Sequence, residues 1–519
     1  MTKPPMNGAE SLVHTLLAND VDVCFTNPGT SEMHFVAALD HIPGMRSVLA
    51  LQEGVATGAA DGYYRMAGKP ASTLLHLGPG LANGLSNLHN AKKAGSGIVN
   101  IVGEHAATHI ELDAPLTSDI EGIARPVSHW VRTSESATAV GKDAAEAVQA
   151  AMVAPGQITT LILPSDTAWN EGGVTHDALA PPARGAFDAA ALPLAVAALD
   201  GPETLLLLGG AALTEDNLAL AGRIAAKTGC KLLSEWSNAR LERGAGRVAI
   251  DRVPYPIDIA LEVLAPFKRI VLVGARAPIG FFAYPGKPAT LTRDDAEIIT
   301  LADASADLDA TLTALTEATG ATETAPAHVA TPDLPDQPTG RLDLDNLAQV
   351  IARAIPEDAI VVDESVTTGR AFFPATRGAA RHTWLNNCGG SIGYSLPAAV
   401  GASIACPDRN VLALTGDGSA MYTVQALWTM AREKLDVTVL IFANRSYTIL
   451  RGELTNVGVA NPGPRAIDML SLDRPALDWV HMAKSMGVDA CQADTCEDLE
   501  VAMETGLETP GPYLIQVNL

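Results

Sequence analysis

The chain has 519 residues, a formal net charge of −24 at pH 7, 47% hydrophobic residues and 18% charged residues. That length exceeds what one core organises and implies roughly two to four domains. The acidic balance argues against nucleic acid and anionic membrane as partners. Cys24, Cys230, Cys388, Cys406, Cys491 and Cys496 are scattered and form no C-x-x-C pair, so neither a zinc site nor a disulfide framework is signalled. Reduced cysteines imply a cytoplasmic protein. The first residues lack the apolar core of a signal peptide, and no uninterrupted apolar span is long enough for a membrane helix.

In chain order, residues 1–175 read as a doubly wound α/β domain. Ala9–Leu17 is an amphipathic helix, and Val21–Phe25 is a strand ending in the turn cluster Thr26–Thr30. The strand Ser47–Leu51 leads to Glu53, which opens a helix. The strand Ala71–Leu77 leads to Gly78-Pro79-Gly80 and a small-residue helix, and Gly97–Gly103 and Thr159–Pro164 complete the set. Residues 185–320 repeat the style, with strands at Thr204–Leu208, Lys231–Leu233 and Arg269–Gly274. No complete G-x-G-x-x-G follows any of them, which counts against a nicotinamide oxidoreductase. Residues 321–340 are rich in Pro, Ala and Thr without an apolar period and read as a linker. A third α/β domain occupies 341–519, from the helix Leu344–Ile355 and the strand Ala359–Ser365 to a last strand at Pro512–Leu519.

The stretch Val411–Gly452 carries the chemistry. Val411–Thr415 is an apolar strand, Gly416-Asp417-Gly418-Ser419 a tight turn with a carboxylate at its tip, and Thr423–Lys434 a helix. Val437–Ala443 is a second β-branched strand ending at Asn444-Arg445-Ser446. A right-handed βαβ crossover brings Asp417 and Asn444 to one carboxyl edge, where open α/β sheets bind ligands. A carboxylate, an amide oxygen and a main-chain carbonyl are hard ligands that suit Mg²⁺ shared with a ligand's phosphates. The turn glycines let backbone N–H groups approach a phosphate.

Twenty-five residues lie between Gly418 and Asn444, and Gly-Asp-Gly followed at this interval by Asn resembles the thiamine-diphosphate motif. Ala443 stands where many members have a second Asn. The three α/β domains in this order resemble the thiamine-diphosphate decarboxylase and carboligase family over nearly the whole chain, with echoes of benzoylformate decarboxylases and acetolactate-synthase large subunits. The resemblance makes the three domains pyrimidine-binding, central and diphosphate-binding.

It also implies roles. Asp417 and Asn444 would bind Mg²⁺ through side chains and Ser446 through its carbonyl. Gly416, Gly418, Ser419, Thr367 and Thr368 would hold the diphosphate. Ile392 would support the cofactor's bend, and the Gly390 carbonyl would face its 4′-amino group. Glu53, which without the resemblance is an ordinary helix-terminal carboxylate, would hydrogen-bond N1′ of the aminopyrimidine. His76 would stand over the cofactor, and Thr30 beside the substrate carboxylate. Benzoylformate decarboxylase has a second active-site His, and the corresponding stretch here, Ile279–Tyr284, has none. Asn386 and Gly452-Glu453 replace aromatic positions, which implies a more polar and less aromatic pocket.

The implied function is non-oxidative decarboxylation of a 2-oxo acid. The resulting enamine would be protonated, as in a benzoylformate-type decarboxylase, or captured by a second carbonyl, as in acetolactate synthesis. The middle domain has no Arg-Phe-Asp-Asp-Arg-like element, which leaves FAD doubtful. A homodimer or homotetramer with sites at the dimer interface is expected. A non-catalytic regulatory homologue would not need intact Glu53, Asp417 and Asn444.

Overall fold

The structure is a computed structural model describing residues 5–519. The first sheet is built from β1 (Val23–Asn27), β2 (Arg46–Leu49), β3 (Ala71–Leu75), β4 (Ile98–Glu104), β5 (Trp130–Thr133) and β6 (Ile158–Pro164). Its order is β2-β1-β3-β4-β6-β5 and every pairing is parallel. Strands such as β3 and β4 are buried throughout, as expected of a parallel sheet covered on both faces by helices. β1 runs two residues further into the turn cluster than its apolar run suggests. Thr26 and Asn27 pair with Leu74 and Leu75 of β3, so the neighbouring strand satisfies their backbone.

The middle stretch contains β7 (Thr204–Leu208), β8 (Lys231–Ser234), β9 (Leu241–Arg243), β10 (Asp251–Arg252), β11 (Arg269–Val273) and β12 (Glu297–Ala302). Five of these strands form a parallel sheet of order β10-β8-β7-β11-β12. The third sheet uses β13 (Ala359–Glu364), β14 (His382–Asn386), β15 (Val411–Gly416), β16 (Val437–Ala443), β17 (Asp489–Ala493) and β18 (Tyr513–Asn518). Its order is β17-β18-β16-β15-β13-β14-β9. β9 comes from the middle stretch and pairs antiparallel with β14. Leu241 on β9 is fully buried in a cluster that also holds Phe373 and Trp384, so the middle and third layers share one core.

Residues 321–340 contain no helix or strand, yet they are tied down. Ala249 N donates to His328 O and Ala330 N to Arg247 O, at 2.8 Å each. The first and third layers meet through the helices Glu53–Ala67 and Ser395–Ala405. A Cβ on Gly62 would lie 2.1 Å from Ala398 O, and one on Gly401 would lie 1.8 Å from Ala59 O. Glycine at both positions lets the two backbones touch. Among the described residues no helix is long and apolar enough to cross a membrane.

Candidate active site

Parallel pairing of β15 with β16 puts Gly416 opposite Phe442, so the residues just beyond emerge at one sheet edge. Asp417 does not sit at the tip of a tight turn. Gly416 is extended (φ −75°, ψ 153°) and Asp417 opens a single helical turn, Asp417–Ala420, which buries the carboxylate to 3% exposure. Asp417 Oδ1 accepts from Gly418 N at 2.8 Å, and Oδ2 accepts from Arg445 N at 2.7 Å. Burial pushes this carboxyl above the usual range, against the opposing pull of the two N–H groups. Asn444 Oδ1 accepts from Ser446 N at 3.0 Å. Arg445 O and Tyr447 N make the backbone bonds to Leu472 and Leu470, which leaves the Ser446 carbonyl out of that pairing. The three expected metal ligands therefore lie on two linked turns.

Among the described residues no group of three or more His, Cys, Asp or Glu could hold a metal. One carboxylate, one amide oxygen and one carbonyl fit Mg²⁺, which takes its remaining oxygens from phosphates and water. Gly418 packs beneath the Tyr447 ring, where an added Cβ would lie 2.5 Å from the ring carbon Cε1. Ser419 is 6% exposed on the same helical turn.

The loop Asn387–Gly393 follows β14 and is pinned from two sides. Asn387 Oδ1 accepts from Gly389 N and Gly390 N at 3.1 and 2.9 Å. Asn90, on the first-layer helix Leu77–Ala94, bonds both the N–H and the carbonyl of Ser391. Gly390 and Ile392 are carried by this loop. Beneath it lies Glu364, a residue whose role the sequence did not disclose. Its carboxylate accepts from the backbone N–H groups of Gly393, Tyr394 and Ser395, from Ser395 Oγ and from Asn387 Nδ2. Burial still outweighs these donors and pushes Glu364 up to about 7.

Glu53 is the first residue of its helix and is 8% exposed. Its Oε2 accepts from Asn83 Nδ2 at 3.0 Å. Oε1 faces Gly80, where even a Cβ would come within 3.3 Å.

His76 follows β3 and precedes the helix Leu77–Ala94, its Nδ1 2.9 Å from Glu32 Oε2. The imidazole lies against Gly29, whose added Cβ would be 2.1 Å from Nδ1. Glu32 Oε2 also accepts from Gly29 N at 2.7 Å, while Oε1 is buried without a partner. Burial raises the Glu32 carboxyl above its usual range, and His76 opposes that rise. Thr30 is exposed and immediately follows Gly29. The segment Gly29–Glu32 thus carries both the expected hydroxyl and an unexpected acidic partner for His76.

Leu77, Val366 and Arg445 all have left-handed backbones, at φ 49°, 50° and 55°. Each adjoins an expected site residue. Strain of this kind persists where the surroundings over-determine the backbone, often at functional sites.

Thr367 and Thr368 line a cavity of about 620 Å³ with Arg370, Thr448, Arg451 and Glu453. Asp417 and Ser419 are not among its walls. The helix Thr448–Asn456 that closes it begins just after Ser446. The stretch Ile279–Tyr284 supplies aromatic rings where a less aromatic pocket was expected. Phe281 packs edge-on to Trp236 and Phe282, with centroids 5.1 and 4.7 Å apart. Its ring abuts Gly390, where an added Cβ would lie 2.7 Å from Cζ. Tyr284 donates to Glu453 at 2.6 Å and so ties this stretch to the cavity's helix.

Residues 6–123 match the family described as thiamine pyrophosphate enzyme, N-terminal TPP binding domain, and residues 367–517 match its C-terminal TPP binding domain. The chain is 50% identical over 514 residues, 99% of each protein, to "Putative acetolactate synthase large subunit IlvX" of Mycobacterium tuberculosis. It is 30% identical over 523 residues, 95% of each, to benzoylformate decarboxylase of Pseudomonas aeruginosa. Among solved structures, the thiamine diphosphate-dependent 4-hydroxybenzoylformate decarboxylase of Rhodococcus jostii RHA1 superposes with a TM-score of 0.85 over 99% of both chains at 25% identity.

Proposed function

Since the chain belongs to the thiamine-pyrophosphate enzyme family, we propose that it catalyses non-oxidative decarboxylation of a small 2-oxo acid, with acetolactate-synthase-type carboligation as a second fate of the same intermediate. The observation that carries this reading is the bond from Arg445 N to Asp417 Oδ2, which locks the two ligand-bearing turns together. Asp417, Asn444 and the Ser446 carbonyl would hold Mg²⁺. Gly416, Gly418, Ser419, Thr367 and Thr368 would hold the diphosphate. When bound, thiamine diphosphate supplies the electron sink for loss of CO₂.

This chain's own groups would do the rest. Glu53 holds a negative charge toward the aminopyrimidine N1′. Ile392 and the Gly390 carbonyl, on a loop stiffened by Asn387, Asn90 and Glu364, fix the cofactor's bend and its 4′-amino group. His76, oriented by Glu32, and Thr30 meet the substrate carboxylate, where histidine can hold or move a proton near neutral pH. Within the described chain, the bonds of Glu53 and of Asp417 stay in their own layers. A homodimer completing each site across its interface is the proposed minimal unit, and sedimentation of an active monomer would remove it.

Turnover without FAD is part of the reading. The middle sheet reverses its strand order between β7 and β11, the place where such sheets bind dinucleotides. There Gly209 and Gly274 meet backbone to backbone, and Glu235 Oε2 lies 2.7 Å from where a Gly209 Cβ would be. Glu235 Oε1 accepts from Arg276 N at 3.0 Å. A carboxylate at that point repels a diphosphate.

A simple benzoylformate-type decarboxylase is the second reading, favoured by the Trp236, Phe281 and Phe282 cluster beside Gly390. A panel of aliphatic and aryl 2-oxo acids, run on protein reconstituted with thiamine diphosphate and Mg²⁺ with and without FAD, tests both. Aldehyde alone from aryl acids selects the second reading. A hydroxy-oxo acid product selects carboligation. No cofactor-dependent CO₂ release from any acid overturns the proposal.

A further inference from the structure

One buried side chain of the first layer holds both ends of the loop Asn387–Gly393. Arg65 lies near the end of the helix Glu53–Ala67, and its side chain is 2% exposed. Nε and Nη2 donate to the two oxygens of Asp61, one turn earlier, at 2.8 and 2.7 Å. Asp61 is itself fully buried and accepts from Ser96 Oγ at 2.5 Å. The guanidinium plane is thereby fixed, and the remaining nitrogen, Nη1, faces the other layers. It donates to the carbonyl of Asn386 at 2.6 Å and to the hydroxyl of Tyr394 at 2.8 Å. Ala239 O, from the segment between β8 and β9, lies 3.3 Å from the same nitrogen.

Asn386 is the last residue of β14, and Tyr394 directly follows Gly393. Inside the loop, the N–H groups of Gly389 and Gly390 go to Asn387, that of Ser391 to Asn90 and that of Gly393 to Glu364. Each of these bonds fixes one point within the loop. Arg65 acts differently, because a single nitrogen ties the two ends of the loop to each other and to the first layer. A planar guanidinium can do this, since two of its nitrogens are committed to one carboxylate while the third faces away. A lysine ammonium is a single point and cannot serve Asp61 and both loop ends together. Apolar packing of the helices Glu53–Ala67 and Ser395–Ala405 would hold the layers without a buried charge. What the guanidinium adds is direction at the loop ends.

We infer that Arg65 is a positioning residue, which holds Asn386 and Tyr394 so that the Gly390 carbonyl and Ile392 are presented in one fixed place. The inference rests on the proposed function, in which those two groups meet the cofactor's 4′-amino group and its bend. The groups proposed for diphosphate and Mg²⁺ follow β13, β15 and β16 and are not among the partners of Arg65. The hold of Arg65 therefore bears on the thiamine part of the cofactor and not on its diphosphate.

The experiment compares the full-length protein with Arg65→Lys, which keeps a charge for Asp61, and with Tyr394→Phe, which keeps the ring and removes one acceptor. In the cofactor-free proteins, hydrogen–deuterium exchange is read by mass spectrometry at peptides covering residues 386–395. Exchange of the loop amides should rise about 10-fold or more in Arg65→Lys, the effect of losing one hydrogen bond to a charged group, and by less in Tyr394→Phe. Leu16→Ala, a truncation in a separate core cluster, should lower Tm without that local rise. Calorimetry in Mg²⁺ should show thiamine diphosphate bound roughly 10-fold more weakly by Arg65→Lys, with inorganic diphosphate bound as before. If Arg65→Lys does not fold, Tyr394→Phe decides by the same two measurements. Unchanged loop exchange, a rise spread evenly over all peptides, or equal weakening of both ligands overturns the inference. An unaltered protein that binds thiamine diphosphate no more tightly than inorganic diphosphate overturns the proposed function instead, and loop exchange then judges the hold of Arg65 by itself.

Discussion

His76 Nδ1 lies 2.9 Å from Glu32 Oε2, and Gly29 N donates to that same oxygen at 2.7 Å. This relationship sets the tautomer of the imidazole. A carboxylate accepting at Nδ1 keeps the proton on Nδ1 and aims Nε2 away from Glu32, as such pairs do elsewhere. Glu32→Gln keeps the shape but removes the charged acceptor that holds the ring in place. Turnover should fall about 10- to 100-fold. Unchanged turnover would reduce Glu32 to a packing residue.

The contact between the first and third layers should respond to a single methyl group. Gly401→Ala puts a Cβ 1.8 Å from Ala59 O, a main-chain atom that cannot swing aside. Overpacking of this kind typically costs about 1–3 kcal/mol. Chemical denaturation should show that loss. Gly452→Ala, whose Cβ would meet nothing within 4 Å, is the control. Equal loss in both would mean that the close approach of the two helices is not what glycine provides.

How much of this was readable in advance differs by residue. Asp417 and Asn444 were legible because two β-branched runs and a Gly-Asp-Gly turn are local signals, and the handedness of a βαβ crossover carries them to one edge. Glu53 was legible as a helix-opening acid after a strand. Glu32 lies just past the Thr26–Thr30 turn cluster, and its bond to His76 depends on β1 and β3 lying side by side, which no local pattern encodes. Glu364 looked like one residue among hydroxyls, because its partners lie roughly 30 positions away on a backbone turn. β9 has only three residues, too few for any period to show, so its place in the third sheet was invisible.

The metal turn gives a direct prediction. Asp417→Ala removes the one carboxylate of the donor set and the acceptor for Arg445 N. Calorimetric titration with thiamine diphosphate should show that added Mg²⁺ no longer tightens binding. A variant that retains Mg²⁺-dependent affinity like that of the unaltered protein would move the metal elsewhere.

Glu364 should make stability depend on pH near neutrality. Its carboxyl is pushed up to about 7 in the folded protein, from a reference value of 4.5. The folded state then holds a proton that the unfolded chain has released. This contribution is fully present below about pH 4.5 and is lost as pH rises through about 7. Above that, a charged carboxylate must be kept in a buried setting. Melting curves between pH 5 and 8 should show a decline that Glu364→Gln lessens, whatever its effect on absolute Tm. Parallel curves for the two proteins would mean that Glu364 is ionised throughout, with its donors outweighing burial.

Glu53→Gln tests the proposed activation most directly. The substitution preserves size and leaves an oxygen that can accept from Asn83 Nδ2 as Oε2 does now at 3.0 Å. It removes the negative charge that would stabilise a protonated N1′. Charge-assisted hydrogen bonds are roughly twice as strong as neutral ones, and removing one preorganised electrostatic group commonly costs on the order of 10²-fold in rate. Cofactor affinity should change far less, since the proposed diphosphate and Mg²⁺ anchors lie at and just beyond the ends of β13, β15 and β16. The measurement that separates activation from binding is hydrogen–deuterium exchange at C2 of the bound cofactor, followed by quenched-flow NMR in the unaltered protein and in the variant. The expected result is exchange slowed by about the same factor as turnover. Equal exchange rates in the two proteins would return Glu53 to the role of a helix-terminal carboxylate interacting with the dipole of its own helix.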